Sequence, residues 1–281
     1  MSMQLRIVHT TGFAYDGKAV ASYNQARLTP LTTREQIVVH HRLEVSPKPW
    51  VHEYRDYFGN QVTAFEIVEP HESMRVTATS TVQVSRPPTA PPTMTWEKVT
   101  TPEVADRWTE YLMLPPLVSP PEDLAVAVKD VAASSTLPGE AVLAVSALVN
   151  REVALTPGAT QAGSPASEAW AQRAGAGQDV VHLALGGLRT VGIPVRYVSG
   201  YVHPSPEPAV GEAHVGGSHA WLEFWDDGWH PYDPINLTEP GDTYVAVATG
   251  RDYTDVKPLS GIYSGAATST MTVEVEVTRL A

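Results

Sequence analysis

Two residues in the second half of the chain have the types and spacing for proton transfer: His219, in Ser218-His219-Ala220-Trp221, and Asp233, in Tyr232-Asp233-Pro234. Between them lies Asp226-Asp227-Gly228, a hairpin signal, and folding the chain back there sets both on one face, directly or diagonally opposite each other. A carboxylate beside an imidazole fixes its tautomer and raises its basicity, which suits a general base. The alternative is a hydrogen-bonded pair that only stabilises the hairpin. His182, His203 and His214, with Glu212 and His219, match no compact ligand motif, because His214 and His219 are five apart rather than the i, i+4 of a helical zinc pair. No metal and no cofactor are expected. The sequence contains no cysteine, which excludes a disulfide framework, a thiolate metal site and a thiol nucleophile together. The nearest hydroxyls do not replace the thiol: Ser218 adjoins His219 and points to the opposite face, and Ser199 belongs to a separate strand. Trp221 and Trp225 share the His219 face as candidate groove walls, with plain packing as the alternative.

These side chains need elements to carry them. Ala220, Leu222 and Phe224 alternate with His219, Trp221, Glu223 and Trp225, which predicts a strand; Trp229 to Asp233 is its return, and Val195 to Val202 is another. Upstream, Val181, Ala184, Leu185 and Leu188 fall at i, i+3, i+4 and i+7, the apolar stripe of a core helix that ends at Gly192-Ile193-Pro194. Gly175-Ala176-Gly177 breaks a short helix predicted around Ser167 to Arg173, so Gly177 falls at the N-terminus of the core helix. Two more helices are predicted between Pro121 and Val153, separated at Pro138-Gly139. Residues 4 to 85 read as short antiparallel strands, with alternation in Gln4 to His9, Gln36 to Ser46 and Met74 to Ser85, broken by Asp16-Gly17 and Gly59-Asn60. Pro87, Pro88, Pro91 and Pro92 form a stiff linker, and Thr270 to Leu280 is a closing strand able to rejoin either domain. The expectation is an α+β chain: an antiparallel β domain at 1–86, a connection at 87–120, a core of helices packed on an antiparallel sheet at 121–262, and a closing strand at 263–281.

Residues 156–236 are similar to the core of bacterial transglutaminase-like proteins of the papain-like superfamily, whose motif runs G-V-C-Q-D-F-A-H at the start of a helix. Here the motif stands as Gly175-Ala176-Gly177-Gln178-Asp179-Val180-Val181-His182. Gly192-Ile193-Pro194-Val195-Arg196-Tyr197 resembles the segment after the nucleophile helix, Ser218-His219-Ala220-Trp221 the stretch bearing the catalytic histidine, and Tyr232-Asp233-Pro234 the aspartate motif. Residues 4–85 resemble the N-terminal β domain often attached to this core, and 251–280 its usual tail. The resemblance implies His219 as base and Asp233 as its orienter. It also implies that Gly177 stands at the nucleophile position, where the family has a cysteine thiolate that forms an acyl-enzyme. Backbone N–H groups at Gly177 and Gln178 would then point out of the helix toward an acyl oxygen, the alternative being a plain helix N-terminus favoured by Asp179. Trp221 and His182 are candidate substrate contacts, His182 alternatively a satisfied core histidine.

Nineteen basic against thirty-one acidic residues give a net charge of -12, which repels phosphate backbones and anionic membranes, so neither nucleic acid nor a membrane is an expected partner. Met1 to His9 has no long apolar run after Arg6, and no stretch approaches the roughly 18 to 20 apolar residues of a membrane span, so the expected location is cytoplasmic. Two functions fit these residues. One is an enzyme that uses His219 and Asp233 for non-covalent acyl or amide chemistry, namely hydrolysis, condensation or cyclisation of a peptide, amide or thioester substrate bearing its own activated group. The other is a catalytically inactive scaffold that binds a peptide or a protein partner in the old cleft.

Overall fold

The computed structural model describes residues 2–281 apart from 162, 266 and 267. It is α+β, and its layers follow from which faces are apolar. The core sheet has the strand order Trp229–Tyr232, His219–Trp225, Val195–Val202, Tyr244–Gly250, with every pairing antiparallel. One face, through Val195, Tyr197, Ala220, Leu222 and Phe224, packs on the helices. The other, through Val198, Trp221, Tyr244 and Ala246, is covered, with Leu31 of the N-terminal domain packed against it, while Tyr201, Val245 and Val247 pack on Met3, Leu5, Ile7, Val82 and Val84. Both faces are therefore dry: in His219–Trp225 only His219 and Glu223 are partly exposed, and the other five residues are buried.

The N-terminal domain is a sandwich of two sheets. One has the order Ala213–Gly216, Ser269–Arg279, Met3–Ala19, His71–Val84, Gln36–Ser46; the other has the order Leu259–Ser264, Ala21–Ala26, Gln61–Ile67, Trp50–Arg55. Two strands from the far end of the chain thus return to it, Ser269–Arg279 beside Met3–Ala19 and Leu259–Ser264 beside Ala21–Ala26. Asp16-Gly17 does not turn the chain as expected. Gly17 has φ 112°, and the register slips between Ala14 and Ala19, so the pair forms an irregularity inside one long strand. A second slip, between Val38 and His40, leaves Val39 exposed and breaks the alternation expected there.

Two amides join the layers. Gln36 is buried and donates to the Ala246 carbonyl at 2.7 Å while accepting from the Ala246 N–H at 2.9 Å. Asn60 does the same for Thr249, at 2.8 Å in each direction. Each side chain takes the place of a neighbouring strand along Tyr244–Gly250, whose outer edge would otherwise be an unpaired liability.

The helix Gly177–Thr190 is the centre of the core. Its predicted stripe is present, but burial goes all round: every residue from Asp179 to Arg189 is buried, because Glu122–Ser134, Pro138–Glu152, Ala166–Gln172 and the sheet enclose it. Arg189, the one full charge near its C-terminus, donates to the carbonyls of Met113, Val195 and Arg251. Gly186 is needed by contact: a Cβ there would lie 1.7 Å from the Val118 carbonyl oxygen. Among the described residues no helix is long and apolar enough to cross a membrane.

Gly186→Ala is therefore expected to lower stability by about 3 kcal/mol or to prevent folding, the upper end for overpacking, since backbone rather than a side chain must give way. Urea unfolding checks this, and a loss below about 0.5 kcal/mol would show that the 115–120 segment is not seated on the helix.

Candidate active site

The hairpin forms with the register Leu222 opposite Tyr232 and Trp225 opposite Trp229. Asp233 follows directly after the return strand, and a short loop closes on itself through Asp233 N–H to Thr238 C=O at 2.9 Å. His219 and Asp233 are thereby diagonal neighbours, and the ring Nε2 lies 2.6 Å from Asp233 Oδ2. The carboxylate has no solvent exposure. It recovers its hydrogen bonds from five donors. Oδ1 accepts from the N–H groups of Ile235 at 2.8 Å and Asn236 at 3.2 Å, while Oδ2 accepts from His219, from the Tyr244 hydroxyl at 2.8 Å and from Asn236 Nδ2 at 2.8 Å. Burial alone would raise this carboxyl, but the hydrogen bond and charge of His219, with Tyr244 and the Ile235 N–H, hold it below its usual range.

With Nε2 donating to a carboxylate, the neutral ring keeps its lone pair on Nδ1. That atom has no partner among the described residues, and the side chain is 15% exposed. Trp221 and Tyr244 flank the ring, with centroids at 6.3 and 5.9 Å. Trp221 itself is 1% exposed and packs with Val198, Tyr244 and Ala246, so its position is behind the histidine rather than on an open wall.

Gly177 is the first residue of the core helix. The N–H groups of Gly177 and Gln178 have no acceptor among the described residues, as at any helix start. Asp179 organises this end: its Oδ2 accepts from the Ala176 N–H at 2.8 Å and from the Thr160 hydroxyl, while burial raises its pKa. Ile235 lies over Gly177. A Cβ added at Gly177 would meet Ile235 Cδ1 at 2.9 Å, and the Ile235 backbone is one of the donors to Asp233, so a single residue connects the helix start to the His219–Asp233 pair. The Ile235 loop is fixed from outside by Asn150, whose Nδ2 donates to the carbonyls of Pro234 and Ile235 at 3.0 and 2.8 Å.

Gln178 is half-buried, with only a long contact to the Gln161 carbonyl at 3.5 Å. His182 is elsewhere, 1% exposed in the helix interior, accepting from the Tyr253 N–H at 3.1 Å. Burial, aided by Arg189, lowers its pKa to about 3. Ser199 pairs opposite Ala220 and Gly200 opposite His219, which puts Ser199 on the other sheet face from the histidine. Among the described residues no three His, Cys, Asp or Glu side chains gather as a metal site. Sequence reasoning missed Tyr244, Asn236 and Ile235. Asp233-Pro234-Ile235-Asn236 carried a turn signal for two of them, whereas Tyr244 opens an apolar strand with nothing local to announce its hydroxyl.

Comparison with known proteins covers both halves of the chain. Residues 5–83 match the bacterial transglutaminase-like N-terminal region, and residues 126–234 match the transglutaminase-like superfamily, a span that contains Gly177, His219 and Asp233. An uncharacterized protein of Mycobacterium leprae is 41% identical over 99% of both chains. One of Mycobacterium tuberculosis is 31% identical over 97% of this chain and 91% of its own. The fold is similar to a crystal structure from Cytophaga hutchinsonii, named as a candidate cysteine protease, with TM-score 0.78 and 21% identity over 100% of this chain and 92% of the other.

Asp233→Asn sets amide hydrogens against donors and is expected to destabilise the protein by about 3 to 5 kcal/mol near neutral pH. Because the folded carboxyl is held below its unfolded value of about 3.9, its contribution is fully present above that pH and is lost as the pH falls through the folded pKa. In urea titrations of the two proteins, the stability gap should narrow on acidification below about pH 4. A gap independent of pH would show that the carboxylate charge is not what the site holds.

Proposed function

Given that the chain belongs to the transglutaminase-like superfamily yet has no cysteine, we propose that it performs acyl or amide chemistry by general-base catalysis alone, with His219 as base and no covalent intermediate. The observation that carries this reading is the His219–Asp233 contact at 2.6 Å, with Nδ1 left unpartnered. In the proposed step, Nδ1 takes a proton from water or from the substrate's own amine or hydroxyl as that group attacks the acyl carbon. Negative charge then develops on the carbonyl oxygen, where the Gly177 and Gln178 N–H groups would receive it, a contribution of about 3 kcal/mol per donor. Collapse expels the leaving group, which takes the proton back from His219. Without a covalent stage the leaving group must depart readily, which favours an activated acyl group such as a thioester over a plain peptide bond. Hydrolysis, condensation and cyclisation all follow this scheme and differ only in the attacking group.

Ile235 favours a second reading. Its δ-methyl lies 2.9 Å from where a side chain at 177 would begin, which sets an apolar group beside the helix start in place of a reactive atom. Under that reading the cleft binds a peptide or a protein partner and turns nothing over.

Against a panel of acyl thioesters and peptide amides, His219→Ala is expected to lower kcat by about 10² to 10⁴, with Ser218→Ala unchanged. Intact-mass spectra during turnover should carry no acyl adduct; an adduct would refute the base-only mechanism, and tight binding of an unaltered ligand would favour the scaffold.

A separate expectation tests the electrostatics of the helix start. In Gly177→Cys combined with Ile235→Ala, the new thiol should alkylate with a midpoint below the ordinary value of about 8.5, because the helix N-terminus and a protonated His219 favour the thiolate. An ordinary midpoint would mean that the two no longer act on one point.

A further inference from the structure

Remote from the His219 site, the outer face of the second N-terminal sheet carries a groove of about 710 Å³, lined by residues of all four strands. Register fixes its centre. Glu66 is directly opposite Tyr23 on one neighbouring strand and Trp50 on the other, so one carboxylate stands between two aromatic rings in a single row across the sheet. Strands are spaced about 4.8 Å apart, which puts both rings within reach of whatever contacts the carboxylate. Ile262, opposite Tyr23, extends the row to the far edge.

Three features distinguish this row from an ordinary wet sheet face. Trp50 is 72% exposed, Tyr23 52% and Ile262 73%, three large apolar side chains open on one row of the sheet. Glu66 is half-buried yet takes part in no ion pair and no side-chain hydrogen bond among the described residues. Among the described residues no lysine or arginine lines the groove. A lone carboxylate flanked by aromatic faces attracts an organic cation by charge and by the ring quadrupoles together.

We propose that this groove binds a basic peptide segment of a partner protein, with one lysine or arginine side chain inserted between Tyr23 and Trp50 over Glu66. The groove volume exceeds what one ammonium group fills and suits several side chains, and the net charge of -12 favours a basic partner at long range.

The test is titration of the intact protein with acetyl-tetralysine-amide, followed by Trp fluorescence and calorimetry, with the fully acetylated-lysine peptide and tetramethylammonium as further probes. Tetralysine should bind at least tenfold more weakly to Glu66→Gln and to Trp50→Ala, both surface changes whose unaltered circular dichroism would confirm folding. The acetylated peptide should not bind. Equal binding by wild type and Glu66→Gln would overturn the proposal, leaving only diffuse attraction to an acidic protein. Tetramethylammonium binding as tightly as the peptide would overturn the peptide as occupant, and no binding by either probe would overturn the site.

Discussion

A carboxylate wholly removed from water must be given back the hydrogen bonds it lost, and at Asp233 that requirement governs the geometry around it. Its five donors come from three separate stretches: the start of one strand, the start of another, and the loop just after Asp233. The loop cannot move far without orphaning Oδ1, and each strand start that moves takes one of the three donors from Oδ2. The hairpin, the 233–238 loop and the edge strand Tyr244–Gly250 are thus located relative to one another by one side chain. The edge strand is in turn held by Gln36 and Asn60 of the N-terminal domain, and Arg86 of that domain donates to the Tyr244 carbonyl, so the N-terminal domain supports the site from behind.

The same constraint explains why a site can keep its shape after losing its reactive atom. The histidine is oriented by Asp233, and Asp233 is satisfied by groups that do not involve residue 177. Glycine in place of cysteine removes one side chain from a helix start without disturbing the pairs behind it. Ile235 occupies the adjoining space, and since its δ-methyl is the end of a flexible side chain, the contact is one that a rotamer change relieves.

Much of this was legible in the sequence because periodicity and punctuation agreed. The apolar spacing from Val181 to Leu188, the Pro138-Gly139 break and the Asp226-Asp227-Gly228 turn each lie where an element begins, continues or ends. Residue order along the hairpin was enough to bring His219 to Asp233. What was not legible is what depends on distant chain. The full burial of Asp179–Arg189, the return of Leu259–Ser264 to Ala21–Ala26, and the hydroxyl that Tyr244 lends to Asp233 are all set by partners far away in sequence. Asp16-Gly17 misled because glycine with positive φ serves a bulge as well as a turn, and only the partner strand decides between them.

The pairing of Ser269–Arg279 with Met3–Ala19 bears on how the molecule is made. On a ribosome the first strand emerges some 250 residues before its neighbour, so its hydrogen-bonding edge and the apolar row Leu5, Ile7 stay open throughout most of synthesis. The helical core, complete by Val256, is free to assemble first and to offer Tyr201, Val245 and Val247 as a surface on which that waiting strand collapses. Maturation of the sandwich is then a late, high-contact-order event, and a chain cut short after Ser264 would carry a templating edge at its beginning rather than at its end.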